Sequence, residues 1–359
     1  MVQSKSNIRN LSLEELTQKL LEFGEKQFRA KQVYEWMWKK GARNFEQMHN
    51  ISKKTITFLN DHYFVDALTI SDQQKSSDGT IKVAFKSFDN HITEGVLIPT
   101  ENRVTACISS QVGCSLACDF CATGRLKLMR NLNPGEIFDQ VFLLTQLSEQ
   151  HYNQKLTNIV FMGMGEPLLN YKNVIDGAQK ITSPNGLNIS PRRITLSTAG
   201  IAKMITKLAD DNVKFNLALS LHAANDKKRS QIMEINDSNN IDILAESLMY
   251  FYHKTGSRVT FEYIIFKDFN DSLNDARELA EFCKHIPVKI NIIEYNPIDN
   301  GTYEQADRKK VDDFANFLES LNLIVHIRRS RGKDIDAACG QLANKNKAVE
   351  LKDRIFKNL

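Results

Sequence analysis

From about residue 104 onward, the sequence alternates between short runs with strand character and longer amphipathic runs with helical character. Strands that are separated by helices pair in parallel and are joined by right-handed crossovers. The pattern therefore predicts an α/β fold, a partial (β/α)6-type barrel with reactive groups at the carboxyl ends of its strands. The predicted strands are 104–109, 158–162, 193–197, 215–221, 259–265, 289–294 and 323–328, and the predicted helices include 135–147, 201–209, 241–252, 272–283 and 304–321.

The first 65 residues have a different pattern, that of a small basic helical module. Ser12-Leu13-Glu14-Glu15 is a capping box at the start of a helix that Gly24 ends. Further along, Ser76-Ser77-Asp78-Gly79 predicts a turn before a strand-like run at 80–85, and a second short strand is expected at 93–99. We therefore expect a helical accessory domain at 1–65, a β-rich connection at 66–103, the barrel at 104–345 and a basic tail at 346–359.

The composition is that of a folded protein that can contact nucleic acid. The 359 residues are 42% hydrophobic and 25% charged, with a formal net charge of +4. A mildly basic chain permits RNA binding without requiring it. Basic clusters, each of which could contact RNA or be a solvated surface, are Arg125/Lys127/Arg130, Arg192/Arg193, Lys227/Lys228/Arg229 and Arg328/Arg329/Arg331.

The location of the protein follows from segments that the sequence lacks. No apolar run approaches the length of a bilayer crossing, and the first residues carry no apolar signal segment. We therefore expect a cytoplasmic protein with no membrane partner. Six cysteines in a chain of this kind argue against a disulfide framework.

Three of the six cysteines lie close together, directly after the first predicted barrel strand. Cys114, Cys118 and Cys121 follow the spacing C-x3-C-x2-C. An iron–sulfur cluster that is held by three thiolates keeps one iron open to a small molecule, which indicates catalysis. A zinc site, the alternative, needs a fourth ligand such as Cys107, and no second cysteine pair follows. The spacing, with Phe120 before the last cysteine, resembles the cluster loop of radical S-adenosylmethionine (SAM) enzymes.

Polar groups recur at the predicted carboxyl ends of the other strands. Gly163-Met164-Gly165-Glu166-Pro167 closes the second strand, where glycines let the backbone approach a ligand closely. Ser197 ends the third strand, Ser220-Leu221-His222 the fourth and Asn296 the sixth. Each group alone is explained as well by strand-end capping, but their recurrence at one rim favours a binding site.

The remaining cysteines stand apart from this run. Cys107, on the first strand, and Cys283, on an apolar helical face, are typical of core cysteines. Cys339 follows the last strand in the polar string Asp334-Ile335-Asp336-Ala337-Ala338-Cys339-Gly340-Gln341-Leu342. Its surroundings predict an accessible thiol within reach of the rim.

Together these strings resemble the RlmN/Cfr group of radical SAM methyltransferases, and the resemblance covers nearly the whole chain. It rests on 107–114, the cluster loop, 163–167, 219–222 and 334–342, with further matches to RlmN at 24–33 and 76–80. The group acts on adenosine in 23S ribosomal RNA, and RlmN also acts on an adenosine in the anticodon loop of transfer RNA. The resemblance implies one [4Fe–4S] cluster, held by the three cysteines of the loop, and two SAM molecules per turnover.

The resemblance also implies a role for each matched residue. Cys339 would accept a methyl group from one SAM, and a 5′-deoxyadenosyl radical from the second would activate that methyl group for addition to adenine. Cys107 would resolve the protein–RNA link through a transient disulfide bond with Cys339, and Glu94 would accept a proton. The residues implied in SAM binding are Gly165, Glu166, Ser197, Ser220, Leu221, His222 and Asn296.

The modified carbon and the class of protein have alternatives. RlmN methylates C2 of adenine and Cfr methylates C8. Cys121-Ala122-Thr123-Gly124 resembles both, whereas the N-terminal strings and 163–170 favour RlmN and therefore C2. A flavodoxin or ferredoxin system is the expected electron donor. A non-catalytic iron–sulfur RNA-binding sensor would carry the same cluster, but the combination of Glu94, Cys107 and Cys339 with the cluster loop argues against it.

Overall fold

The computed structural model describes residues 5–284 and 286–343, so the predicted basic tail at 346–359 lies outside the described residues. The helices of the described residues are α1 (Leu13–Glu22), α2 (Gln27–Trp38), α3 (Lys53–His62), α4 (Pro134–Tyr152), α5 (Tyr171–Thr182), α6 (Ala202–Asp210), α7 (Asp226–Ile232), α8 (Ile241–Thr255), α9 (Leu273–Cys283) and α10 (Arg308–Ser320). Their strands are β1 (Ser6–Asn7), β2 (Tyr63–Phe64), β3 (Thr69–Lys75), β4 (Ile81–Lys86), β5 (Ile92–Thr100), β6 (Arg103–Cys107), β7 (Gln111–Val112), β8 (Arg130–Asn131), β9 (Asn158–Phe161), β10 (Ile194–Thr198), β11 (Asn216–Ser220), β12 (Val259–Ile265), β13 (Val288–Glu294) and β14 (Val325–Arg328).

Ten strands form one open sheet in the order β14-β13-β12-β11-β10-β9-β6-β5-β4-β3. The part from β6 to β14 is parallel throughout, and helices cross over between its strands. This confirms the predicted partial (β/α)6 barrel, and all seven predicted strands match observed ones to within two residues at each end. The strand β12 is buried along nearly its whole length, as expected for a parallel strand that is covered on both faces.

Helix ends follow local capping signals. The helix α4 begins at a capping box in which the Asn133 side chain accepts from the Glu136 amide at 2.9 Å. The predicted helix at 304–321 begins only at Arg308, because the residues before it pair elsewhere: Gln305 forms a bridge with Phe266. Among the described residues, no helix is both long and apolar enough to cross a membrane.

The segment before the barrel extends the barrel sheet. The strands β3, β4 and β5 pair antiparallel with one another, and β5 pairs antiparallel with β6. Two of them, β4 and β5, match the strands expected near 80–85 and 93–99, and the turn between β3 and β4 contains Gly79 at a φ of +89°. In the register of β5 with β6, Val96 lies opposite Cys107. The extension therefore reaches the residue that closes the first barrel strand.

The N-terminal helices pack against the barrel through one continuous hydrophobic core. The capping box of α1 is formed as predicted, since Ser12 and Glu15 exchange hydrogen bonds of 2.7 and 3.1 Å. A buried ion pair joins the two parts of the chain, with Arg9 Nη1 2.8 Å from Asp139 Oδ2 of α4. The same guanidinium donates to the carbonyl of Asp66 at 3.1 Å. The helical module is thus fixed to the first crossover helix of the barrel.

Candidate active site

A cavity of about 900 Å³ opens at the carboxyl ends of the barrel strands, within the size range of small-molecule sites. The loop between β6 and α4 contributes the cysteines of the predicted cluster, and the ends of β9, β10 and β11 contribute the rest of the wall. Residues singled out from the sequence that line this cavity are Cys114, Cys118, Cys121, Gly163, Gly165, Glu166, Ser197, Ser220, His222 and Cys339. The rim that the strand pattern predicted is therefore one continuous surface.

The three cysteines of the loop face this cavity. Cys114 is buried, whereas Cys118 and Cys121 are partly exposed. Burial raises the pKa of the Cys118 and Cys121 thiols, so their deprotonation requires a compensating positive charge. In residues 5–284 and 286–343, no group of three or more histidine, cysteine or acidic side chains is arranged to hold a metal ion. The three cysteines thus stay a prediction as cluster ligands.

The glycines after β9 line the cavity and pack tightly against the segment that follows β6. A Cβ at Gly163 would lie 2.7 Å from Ser109 Oγ, and one at Gly165 would lie 2.5 Å from Gln111 Cβ. Gly165 also has a φ of +92°, which strains any other residue. Both oxygens of the buried Glu166 carboxylate accept backbone N–H groups, and these hold the rim in shape. Burial outweighs these bonds and raises the pKa of Glu166 to about 7.

The ends of β10 and β11 place polar side chains beside one another. Ser197 Oγ and Ser220 Oγ are 3.5 Å apart. His222 is buried at a φ of +58°, its Nδ1 accepts from the Ile264 amide, and burial lowers its pKa to about 3. The imidazole is therefore neutral at pH 7 and acts as an acceptor at this nitrogen. Leu221 is fully buried and, unlike its neighbours, does not line the cavity.

Asn296 holds the segment that carries Cys339. Its Nδ2 donates to the Cys339 carbonyl at 3.2 Å, but its Oδ1 is buried and has no protein partner. Buried acceptors are nearly always paired, so this oxygen points to a missing donor. SAM offers donors of the right kind in its amino, hydroxyl and adenine N–H groups. Asn296 itself does not line the cavity of the three cysteines, so the fit to a nucleoside such as SAM rests on the glycine-lined wall, with the unpaired Asn296 oxygen behind Cys339.

Cys339 lies where two cavities meet. It borders the cavity of the three cysteines and a second one of about 1020 Å³, which Cys107 also lines. Cys339 is exposed to solvent, yet the protein atoms around its sulfur raise the pKa of the thiol to about 11, against the opposing effect of Arg328. Burial and the neighbouring Cys339 raise the pKa of Cys107 to about 12. The described cysteines are all free thiols, so no disulfide bond joins this pair.

A charged pair near these thiols was not singled out from the sequence. Glu262, buried in β12, lies 3.0 Å from Arg328 Nη1 at the end of β14. The carboxylate lines the first cavity and the guanidinium lines the second. In the sequence, Arg328 belongs to a basic cluster, but nothing there indicates Glu262 as its partner. Arg328 is thus placed to stabilise a thiolate at Cys339.

The interpretation of the cluster Lys227/Lys228/Arg229 as solvated surface is wrong for Arg229, because the Arg229 side chain is fully buried. Its guanidinium donates to the carbonyls of Ala199 and Leu221 and to Asn236 Oδ1 at 2.5, 3.2 and 2.8 Å. These contacts fix the chain just beyond β10 and β11. No local sequence pattern distinguishes this arginine from exposed Lys227 beside it.

Glu94 lies on the antiparallel extension and lines neither of the two cavities at Cys339. It is 5% exposed, and its Oε2 accepts from the Ala343 amide at 3.1 Å. Alternate residues of a strand share a face, and Val96 and Ile98, next along that face of β5, line the cavity of Cys107. Glu94 is therefore adjacent to that cavity rather than in its wall.

Two family descriptions match the chain in separate regions. The description "Ribosomal RNA large subunit methyltransferase N-terminal domain" matches residues 6–65, and "Radical SAM superfamily" matches residues 108–283. The boundaries coincide with the helical module and with most of the parallel barrel.

Relatives of similar length match over nearly the whole chain. A protein of Cytophaga hutchinsonii named "Probable dual-specificity RNA methyltransferase RlmN" is 60% identical over 95% of this chain and 93% of its own. A protein of the same name from Staphylococcus epidermidis is 40% identical over 96% and 95%. The crystal structure of a radical SAM methyltransferase from Sphaerobacter thermophilus superposes with a TM-score of 0.89 at 35% identity, covering 94% of this chain and 99% of that one.

Proposed function

Because this chain belongs to the RlmN family of radical SAM RNA methyltransferases, we propose that it methylates C2 of a specific adenosine in 23S ribosomal RNA. We propose an adenosine in the anticodon loop of transfer RNA as a second substrate. The methyl group would pass through Cys339. The observation that carries this proposal is the position of Cys339, an exposed thiol between the cavity of the three cysteines and the cavity of Cys107.

Membership of the family implies a [4Fe–4S] cluster and SAM. When bound, the cluster supplies the electron that splits SAM reductively. We propose Cys114, Cys118 and Cys121 as its ligands. For SAM we propose Gly165, Glu166, Ser197, Ser220, Leu221, His222 and Asn296, two molecules being used per turnover. The orphaned Asn296 oxygen and the position of Gly165 in the cavity wall support this assignment.

Cys339 needs its proton removed before it can accept a methyl group. Its raised pKa means that the thiol is protonated near pH 7, and the thiolate is the nucleophile. The Arg328 guanidinium favours the thiolate, while its ion pair with Glu262 fixes where that charge lies. We therefore assign Arg328 the role of stabilising the thiolate while the methyl group is transferred.

The later steps require Cys107 and Glu94. After the methylene carbon has joined the adenine ring, the radical adduct would give up one electron to the electron-transfer system. The Cys107 thiolate would then attack the Cys339 sulfur. The carbon–sulfur bond would break with its electron pair on the carbon side, the carbon would take up a proton to become the methyl group, and the RNA would leave a transient disulfide bond behind. Both thiols border the same cavity, which supports this pairing. Glu94 would accept the proton that leaves C2. It lies one strand repeat from that cavity, about 7 Å along β5.

RNA contact is proposed for the accessory domain at 1–65, which carries cations next to aromatic rings that are exposed (Phe28) or partly exposed (Trp36). The Arg29 guanidinium lies 4.9 Å from the ring of Phe28, which is 49% exposed, and Lys40 Nζ lies 3.8 Å from the ring of Trp36. Such pairs bind unstacked bases and phosphates. A ribosomal or transfer RNA substrate places the enzyme in the cytoplasm, with a flavodoxin or ferredoxin system as electron donor.

The test compares Cys339→Ala with Cys283→Ala after anaerobic reconstitution with iron and sulfide. Cys283 is buried in α9 and matches Cys339 in chemistry but not in position. We expect about four irons per chain in both variants. Mass spectrometry should find 2-methyladenosine in RNA treated with wild type and C283A, and none with C339A. Full activity of C339A would exclude the methyl-cysteine route, and 8-methyladenosine would indicate Cfr-type chemistry. RNA binding without SAM cleavage would indicate a sensor.

A further inference from the structure

A lysine is buried beside Glu94 on the antiparallel extension. Lys82 of β4 is 8% exposed, and its Nζ lies 3.9 Å from Glu94 Oε1. In the register of β4 with β5, Lys82 pairs with Val96 and Ala84 with Glu94, so Lys82 and Glu94 are diagonal neighbours on one face. Burial of an ammonium is unfavourable unless a charge or a dipole offsets it. The proposed function assigns Lys82 no role.

Both charged groups also line a third cavity, which is polar and open to solvent. It has a volume of about 710 Å³, and its wall includes the acidic residues Asp72, Asp334 and Asp336. It lies on the side of Glu94 that faces β3 and the loop after β14. Neither Cys107 nor Cys339 borders it. Glu94 therefore stands between the cavity of the two thiols and a separate opening to water.

We propose that Lys82 is a positioning residue that keeps Glu94 ionised, and that the polar cavity is the route by which the proton taken up by Glu94 leaves to solvent. This inference rests on the proposed function, in which Glu94 accepts the proton from adenine C2. An adjacent cation stabilises a buried carboxylate, which otherwise has little water around it. Acidic groups at an opening favour the passage of a cation such as a hydrated proton.

The proton balance is simple. The Glu94 carboxylate takes one proton from the adenine carbon and becomes a carboxylic acid, while the electron pair of that C–H bond stays with the ring. The acid then gives the proton to water in the polar cavity and returns to the carboxylate. Lys82 transfers no proton in this sequence. Departure on this side keeps the proton away from the Cys107 and Cys339 sulfurs.

A purely structural role for Lys82 predicts different behaviour. Its Nζ also approaches the Asp336 carbonyl at 3.5 Å, so the lysine could simply tie the segment of Cys339 to β4. Loss of such a tie would disturb Cys339 itself and would reduce its methylation by SAM. Loss of the proposed electrostatic role would leave Cys339 methylation intact and stop the reaction after RNA has become attached.

The experiment uses reconstituted full-length protein with Lys82→Met, Lys82→Gln and Lys82→Arg, and with Lys228→Met as a matched control. Lys228 forms an ion pair with Asp275 that joins α7 to α9, and it lines neither the polar cavity nor the cavity of the two thiols. For each variant we would measure methyl content of Cys339 by peptide mass, SAM cleavage, and covalent RNA–protein adduct on denaturing gels in a single turnover. K82Q keeps a polar group at the cavity and carries the test if K82M does not fold.

We expect K82M and K82Q to methylate Cys339 and to cleave SAM as wild type does. Because RNA release is slower, both should accumulate at least about tenfold more adduct. A tenfold slower release corresponds to about 1.4 kcal/mol in the barrier to that step. K82R should restore release, and K228M should behave as wild type. Release at the wild-type rate in K82M or K82Q would overturn the inference, as would a parallel loss of Cys339 methylation and adduct. A wild-type protein that forms neither adduct nor methylated RNA would instead disprove the proposed function.

Discussion

The Asp78 carboxylate accepts a hydrogen bond from the Gly332 amide at 2.8 Å, although the two residues are 254 positions apart. The contact is reciprocal, because Asp334 accepts from Ser76 Oγ and the Ser77 amide at 2.6 and 3.0 Å. We call these two loops, 76–79 and 331–334, the clasp. Cys339 follows the clasp within a few residues. The clasp therefore anchors the segment that presents the thiol.

The first prediction concerns Asp78→Ala. The substitution leaves the Gly332 and Thr80 amides without their acceptor and should lower the free energy of unfolding by about 1–2 kcal/mol. Because the segment of Cys339 is then less restrained, its thiol should react faster with iodoacetamide. Thermal unfolding and mass mapping of alkylated peptides would measure both effects.

A control for this prediction is Asp61→Ala, which removes an exposed carboxylate from α3. It should change neither the free energy of unfolding nor the alkylation rate of Cys339.

Although burial acts in the opposite direction, hydrogen bonds lower the pKa of Asp78 to about 2. The advantage of wild type over D78A should therefore be present above pH 4 and disappear as the pH falls towards 2. If Cys339 of D78A reacted with iodoacetamide at the same rate as Cys339 of wild type, the clasp would not restrain the segment of Cys339.

The second prediction concerns Gly165→Ala. The added Cβ would meet the Gln111 side chain, whose Oε1 accepts from the Glu166 amide at 2.8 Å, and the φ of +92° would strain the backbone. We expect a loss of about 1–3 kcal/mol of stability together with a loss of SAM binding. Equilibrium dialysis of labelled SAM with reconstituted protein measures the binding.

Gly256→Ala separates these two effects. Gly256 ends α8 at a φ of +67°, but nothing lies within 4 Å of a Cβ there. The variant G256A should lose about 1 kcal/mol of stability and should still bind SAM. Equal SAM affinity in G165A and G256A would mean that the close backbone at Gly165 does not serve the ligand.

What the sequence could predict depends on the range of the contacts. Strand bounds and the α1 capping box follow from local patterns, and most of the polar groups expected at the strand ends line one cavity, whereas Leu221 and Asn296 do not. No local pattern predicts that Glu262 pairs with Arg328, although Arg328 belongs to a basic cluster, or that Lys82 lies beside Glu94. These pairs join different strands, and in the case of Glu262 and Arg328 they are 66 positions apart. No periodicity encodes a partner at that distance.

The third prediction concerns Arg229→Met. The side chain is fully buried and donates to the carbonyls of Ala199 and Leu221 beyond the ends of β10 and β11. Methionine fills similar space but removes the donor of the Ala199 carbonyl and of Asn236 Oδ1, while the Leu221 carbonyl keeps the Ala223 amide, so we expect a loss of about 3–5 kcal/mol. Denaturant unfolding measures it. Lys227→Met, an exposed neighbour, should stay within about 0.5 kcal/mol of wild type, and a similarly small effect of R229M would contradict this account.

The fourth prediction concerns Asp66, where the accessory domain meets α4. The carboxyl is 3% exposed, its Oδ1 has no partner, and burial together with the nearby Glu136 raises its pKa to about 6. A pKa above the unfolded value means that protonated Asp66 contributes stability at low pH and that this contribution is lost as the pH rises through 6. Asp66→Asn, which cannot ionise, should therefore gain stability relative to wild type between pH 4 and 7, on the order of 1–3 kcal/mol.

Denaturant unfolding across that pH range tests this prediction, with Asp139→Asn as the opposite case. Asp139 pairs with buried Arg9 at 2.8 Å, so its neutralisation leaves that guanidinium without its charge partner. D139N should be less stable than wild type at pH 7 by about 3 kcal/mol. The difference between D66N and wild type, in contrast, should grow with pH and then level off above 6. A difference that is independent of pH would show that Asp66 ionises in the folded protein as it does in the unfolded chain.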